Sequence, residues 1–192
     1  MITRVTSTDT IGNPAPQGAT ITDPQNHTLY MTVLMTPDMA NFSGNVHGGA
    51  ILKILDQVAY ACASSYARSY VLTLSVDRVL FREPIHVGDL VTFSAAVNYT
   101  GRTSMEIGIR VDTTDIQRGA SRHTNSCYFT MVAVDGEGIP VEIPPLCPRD
   151  PLGVRRFEAA RLRRRAQRKQ FDGPHAVEPD ITADLANPGA TS

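Results

Sequence analysis

Cysteine is scarce in this chain of 192 residues: there are three, Cys62, Cys127 and Cys147. An odd count without framework spacing argues against a disulfide-stapled secreted fold and for a reducing compartment. No stretch approaches the ~18 apolar residues of a membrane span, so no membrane partner is expected. The first 26 residues, MITRVTSTDTIGNPAPQGATITDPQN, have no apolar core of the kind a signal peptide needs. A soluble cytoplasmic protein is the expectation. The histidines at 27, 47, 86, 123 and 175 are scattered, and no His/Cys/Asp group has metal-ligand spacing. Neither a Gly-x-Ser-x-Gly elbow nor a phosphate loop occurs.

What is present is globular composition, with 42% hydrophobic and 19% charged residues and a net charge of −1. The length suits one domain with tails. Residues 1–26 are rich in Thr, Pro, Gly and Asp and read as a mobile arm. Residues 27–35 alternate well enough for a strand, and turn formers follow at Pro37, Asp38, Asn41, Ser43 and Gly44. From His47 or Gly48 the period changes. Ile51, Ile54, Leu55, Val58 and Cys62 form one helical stripe, and the helix reaches about Tyr66. Four alternating stretches come next, at residues 71–84, 89–100, 102–115 and 121–135, as half-buried antiparallel strands would. One strand, one long helix and four more strands make an α+β domain, with the helix laid on one face of a five-stranded antiparallel sheet. A lone helix cannot cover such a sheet, and an open edge strand is a hazard. Both points favour dimerisation.

The domain is expected over residues 27–148. Beyond it the balance of charge breaks: residues 155–169 hold eight basic residues against one acid. A basic helix is expected over 149–170. Residues 171–192, with Pro, Gly, Asp and Ala, read as disordered.

The stretch NFSGNVHGGAILKILDQ, residues 41–57, aims a glycine pair at the helix start and places an acid two turns in. Gly48 and Gly49 would let a ligand approach the backbone closely. Amides at a helix start lack internal partners and sit at the positive end of the dipole, so they can hold a carbonyl oxygen and the oxyanion formed from it. The pair equally serves to permit a tight turn. Asp56 falls at the rim of the apolar stripe, between Leu52 and Lys53. It is solvated there, or a general base if a partner surface covers the rim. Asn41 can orient a water or a substrate, or cap a turn. His47 is a first-turn residue that packs or caps, with catalysis the lesser reading.

Taken together, NFSGNVHGGAILKILDQVA resembles the Asn-x-x-Gly-x-x-His-Gly-Gly…Asp signature of hotdog-fold acyl-CoA thioesterases, in the acyl-CoA hydrolase branch that includes the brain-type cytosolic enzyme and small bacterial relatives. The likeness continues through LSVDRVLFREPIHVGDLV, VNYTGRTSMEIGIRV and HTNSCYFTMVAVDGEGIPVEIPPL, in order, over roughly residues 28–147. It implies a hotdog fold, a long central helix wrapped by a five-stranded antiparallel sheet. It also implies hydrolysis of acyl-CoA to fatty acid and CoA. No cofactor is expected, since coenzyme A is part of the substrate. The family's homodimer, often assembled as a trimer of dimers, places active sites between subunits. By the same resemblance Asp56 is the helix acid, general base or nucleophile, and Asn41 the loop amide. Gly49, with Gly48 beside it, is the amide that polarises the thioester carbonyl, and His47 and Gly48 are counted with the substrate-binding residues. The stretch TGRTSME resembles the hairpin bordering the CoA channel, where Arg102, Thr103 and Ser104 meet pantetheine or phosphate oxygens or only form a turn with a solvated arginine, and Val76 and Phe81 line the acyl tunnel or pack in the core.

Two rivals stand beside this reading. One is a non-catalytic acyl-CoA-binding regulator using the basic C-terminal helix on nucleic acid. No helix-turn-helix precedes the domain, and nucleic acid is not the expected partner. The other is a hydratase of acyl thioesters, whose His-and-acid motif the spacing of His47 and Asp56 does not resemble.

Overall fold

Alternation and helical period turn into elements close to where the sequence places them. The computed structural model describes residues 27–77 and 79–171. The N-terminal arm and, beyond Phe171, the C-terminal tail lie outside the described residues. The order is β1 (Thr28–Leu34), α1 (Gly48–Ala67), β2 (Tyr70–Val76), β3 (Leu90–Thr100), β4 (Ser104–Asp115), β5 (Ala120–Val134) and α2 (Pro151–Phe171), with a 3-10 turn at Pro37–Met39. The strands form one antiparallel sheet in the order β1-β3-β4-β5-β2. This is the hotdog arrangement expected. Among the described residues no helix is long and apolar enough to cross a membrane.

The core lies between α1 and one sheet face. Ile51, Leu55, Val58 and Cys62 meet Phe93, Met105, Ile107, Phe129 and Met131, all at most 2% exposed. Burying a side chain such as Leu55 contributes about 2 kcal/mol. Ala59 and Ala63, fully buried, keep the helix close to the sheet. α1 ends where Arg68 adopts a left-handed φ of 55° and its N–H bonds to the Ser64 carbonyl at 2.9 Å.

One expected element is shorter than its sequence pattern. The stretch 71–84 leaves the sheet after Val76. The Asp77 N–H makes the last bond, to the Tyr128 carbonyl at 2.9 Å, and residues 85 and 86 then pair with 46 and 45. Alternation reports which side a residue faces, not whether a neighbouring strand is there to receive its backbone. The released loop carries Phe81 to the start of α1, its ring 3.5 Å from where a Cβ on Gly48 would stand.

α2 lies on the outer face of the sheet, away from α1. Its apolar contribution is small: Ala160 is fully buried, and Phe157 packs on Tyr99 with ring centroids 5.1 Å apart. Polar contacts do the rest. Arg163 donates to both oxygens of Glu106, at 2.6 and 3.1 Å, and its guanidinium stacks 3.7 Å from the Tyr128 ring centroid. Asn98 also donates to Glu106, at 3.1 Å. Arg164 donates to Ser104 Oγ at 2.6 Å, and Gln167 to Asp77. Burial, and after it the nearby Glu106 charge, holds the Asp77 carboxyl above its ordinary range. Glu106 is only 6% exposed, so Arg163→Ala would strand a buried carboxylate. A loss of about 3 kcal/mol is expected. In thermal unfolding that is a Tm lower by roughly 6–12 °C.

Candidate active site

Each residue of the opening motif now has a place. His47 is the N-cap of α1, and its Nδ1 accepts the Gly49 N–H at 2.9 Å. That bond satisfies one of the amides left without an intrahelical partner at the helix start. It also occupies the Gly49 donor in this state, while the Gly48 N–H meets no acceptor among the described residues. Asn41 uses its Oδ1 locally, accepting from the N–H groups of Ser43 at 2.9 Å and Asn45 at 3.2 Å. The side chain is therefore oriented with its Nδ2, a donor, turned away from the turn it caps.

Asp56 is exposed on α1. Its Oδ1 accepts from Thr73 Oγ1 at 2.7 Å, which leaves Oδ2 for another partner. Thr73 is the residue that sequence reasoning missed. It sits on β2 two positions after the buried Val71, so period two turns it toward α1. A hydroxyl at an inward position of β2, among Val71, Leu72 and Leu74, was the available signal. Within one chain no hydrogen bond joins Asn41 to Asp56.

The remaining candidates divide. Phe81 and Gly48 are together at the helix start, and Val76 is 45% exposed at the edge of the sheet. The 102–104 hairpin is elsewhere. Ser104 pairs with Val132 and Tyr70 with Val134, which puts the hairpin at the end of the sheet where α1 finishes. There the Arg102 carbonyl accepts from Ile143, the Thr103 carbonyl from Ala133, and Arg102 reaches Glu142 at 3.8 Å. Among the described residues no cluster of three His, Cys, Asp or Glu side chains could hold a metal ion. Burial pushes the Cys62 and Cys127 thiols up to about 12, which makes both poor nucleophiles near neutral pH.

The arrangement offers one carboxylate with an open oxygen, an open backbone donor at a helix N-terminus, and a loop carboxamide. These are the parts needed to activate water and to hold an oxyanion. Residues 43–120 match the model of the Thioesterase superfamily. The chain is 48% identical over 140 residues to protein VdlD of Helicobacter pylori, covering 73% of this chain and 79% of that one. Among solved structures, an apo-hexameric acyl-CoA thioesterase aligns with a TM-score of 0.74 at 33% identity, over 78% of this chain and 96% of that one. The Staphylococcus aureus acyl-CoA hydrolase in complex with butyryl coenzyme A aligns at 0.69 and 29% identity, over 76% and 91%. Variants of that hydrolase with an asparagine, an aspartate or a threonine replaced by alanine have also been solved, and those three positions have the spacing of Asn41, Asp56 and Thr73.

Proposed function

This chain belongs to the thioesterase superfamily, as a hotdog-fold acyl-CoA hydrolase, and from that premise we propose that Asp56, Asn41 and the α1 N-terminus of two subunits together cleave the thioester. The carbonyl oxygen docks on the Gly48 and Gly49 amides, displacing His47 Nδ1 from the second. Asp56 of the partner subunit takes a proton from water through Oδ2, and the hydroxide adds to the carbonyl carbon. Asn41 Nδ2 donates to the carbonyl or holds the water. The tetrahedral oxyanion collapses, the C–S bond breaks, and CoA leaves as thiolate. Direct attack by Asp56 through a mixed anhydride is the competing chemistry.

The observation that carries the reading is the hydrogen bond from Thr73 to an exposed carboxylate, 2.7 Å long. An exposed Asp has no structural need of such a partner, whereas a base that must present one chosen oxygen does. Two subunits supply the pairing, since among the described residues no hydrogen bond joins Asn41 to Asp56 within one chain. A partner would also cover the edge strand β2, where Tyr70, Leu72, Leu74 and Val76 are 57, 45, 67 and 45% exposed.

The test is release of free thiol from acyl-CoA across a series of chain lengths, followed with a thiol reagent. Absence of release at every length would sink the proposal. Thr73→Val should lower kcat by about tenfold with little change in KM, because a hydrogen bond to a charged group is lost. Thr73→Ser should retain most of the activity. Equal kcat values for the two variants would remove Thr73 from the mechanism.

A further inference from the structure

We propose that His86 is a positioning residue for Asn41, tethering through Asn45 the turn that orients the Asn41 carboxamide. The inference rests on the hydrolytic role given to Asn41 above and adds a residue that touches neither substrate nor water.

The turn that carries Asn41 has little of its own to hold it. Phe42, Ser43 and Gly44 are all exposed, Phe42 entirely so. Within the turn the Asn41 N–H donates to the Asn45 carbonyl at 2.7 Å, and the Gly44 N–H to the Asn41 carbonyl at 3.0 Å. The Asn45 N–H in turn is one of the two donors that hold Asn41 Oδ1. A segment that buries so little apolar surface opens readily unless something outside it fixes it. The place of Asn45 therefore decides where the Nδ2 donor of Asn41 points.

Asn45 is fixed from the segment before β3. It forms an isolated antiparallel bridge with His86, and beside it the Val46 N–H donates to the Ile85 carbonyl at 2.8 Å. Val46 and Ile85 are buried, so the join is anchored in the core. The side chains add a second tie: Asn45 Oδ1 accepts from the His86 ring at Nδ1, 2.8 Å away. An asparagine without such a partner bonds to its own backbone neighbours, and those bonds would compete with the turn that Asn41 needs.

His86 is itself held. Its N–H donates to Asp89 Oδ2 at 3.0 Å, and the Asp89 N–H donates to the His86 carbonyl at 3.1 Å. Asp89 is 5% exposed. Arg122 on β5 meets its carboxylate at 3.0 Å and donates to the Pro84 carbonyl at 2.9 Å. Contacts thus run from a buried ion pair through His86 and Asn45 to the loop carboxamide. The His86 ring is exposed, so replacing it leaves the ion pair and the core in place.

Thiol release by the full chain, on the acyl-CoA that wild type turns over fastest, tests the tie. His86→Leu should lower kcat about tenfold, because a displaced donor loses its alignment, with KM and Tm nearly unchanged. His86→Asn, whose carboxamide stands close to the place of Nδ1, should keep most of the activity. Subunit mixing then separates positioning from general damage. Asp56→Asn and Asn41→Ala chains regain activity only in dimers where the first supplies Asn41 and the second Asp56. His86→Leu added to the Asp56→Asn chain should cut the regained activity about tenfold, and added to the Asn41→Ala chain should leave it unchanged. Wild-type kcat in His86→Leu, equal loss in His86→Leu and His86→Asn, or equal loss in the two mixing arrangements overturns the proposal and leaves the role of Asn41 standing. If the unmodified mixture regains nothing, the two-subunit reading fails instead, and the comparison of His86→Leu with His86→Asn still decides this one.

Discussion

Asp56→Asn is expected to lower kcat for acyl-CoA hydrolysis by about a thousandfold, within the span that a positioned general base supplies. The substitution is nearly isosteric. Its carboxamide oxygen still accepts from Thr73 Oγ1, so the 2.7 Å contact and the helix surface are preserved. What disappears is the capacity to take a proton from water or to attack the carbonyl carbon. KM should move only a few-fold, because the backbone donors and the tunnel walls are untouched. Steady-state thiol release at saturating acyl-CoA measures both constants. Turnover at the wild-type rate would remove the carboxylate from either version of the mechanism.

The second large effect concerns the edge of the sheet. Leu72→Glu combined with Leu74→Glu should convert the assembly to monomers and reduce turnover at least a hundredfold. Both side chains are largely exposed in one subunit, 45% and 67%, so the substitutions disturb little of the protomer's own packing. Two facing carboxylates from each subunit would, however, be placed against apolar surface and against each other. Sedimentation gives the oligomeric state, and thiol release gives the activity. Monomers that retain full turnover would contradict sites built across the interface. Subunit mixing offers a sharper version. Asp56→Asn and Asn41→Ala chains, each inactive alone, should regain about a quarter of wild-type activity on random reassortment into dimers. Half the dimers are then mixed, and each mixed dimer rebuilds one of its two sites.

Much of this was open to reading in the sequence. The stripe from Ile51 to Cys62 and the alternation of residues 89–100, 102–115 and 121–135 locate their elements to within a residue or two. His47 shows how far local reasoning extends. Its two readings, cap or catalysis, were both available, and the bond from Gly49 N–H to Nδ1 makes it the cap. For Asn41 the two readings prove compatible, because the carboxamide caps the turn with one atom and presents the other. The strand predicted over residues 71–84 ends instead at Val76, since among the described residues that follow Asp77 up to residue 84 no strand pairing continues. Thr73 cannot be assigned to the site from the sequence, because its partner is on another element and no local pattern pairs a strand hydroxyl with a helix acid. The basic run was legible as a helix, but its few apolar residues gave no indication that it seats on the sheet.

The order of residues by itself determined the periodicities, the turns and the spacing of the Asn41–Asp56 signature. These depend on backbone geometry over a few residues, which neighbours in sequence are enough to settle. Only the tertiary structure decided the strand order β1-β3-β4-β5-β2, the contact between Thr73 and Asp56, the filling of the Gly49 donor by His47, and the seat of α2 over Glu106. Each of those is a contact between segments whose meeting depends on how the whole core packs, and side-chain proximity across such distances leaves no period in the chain to read.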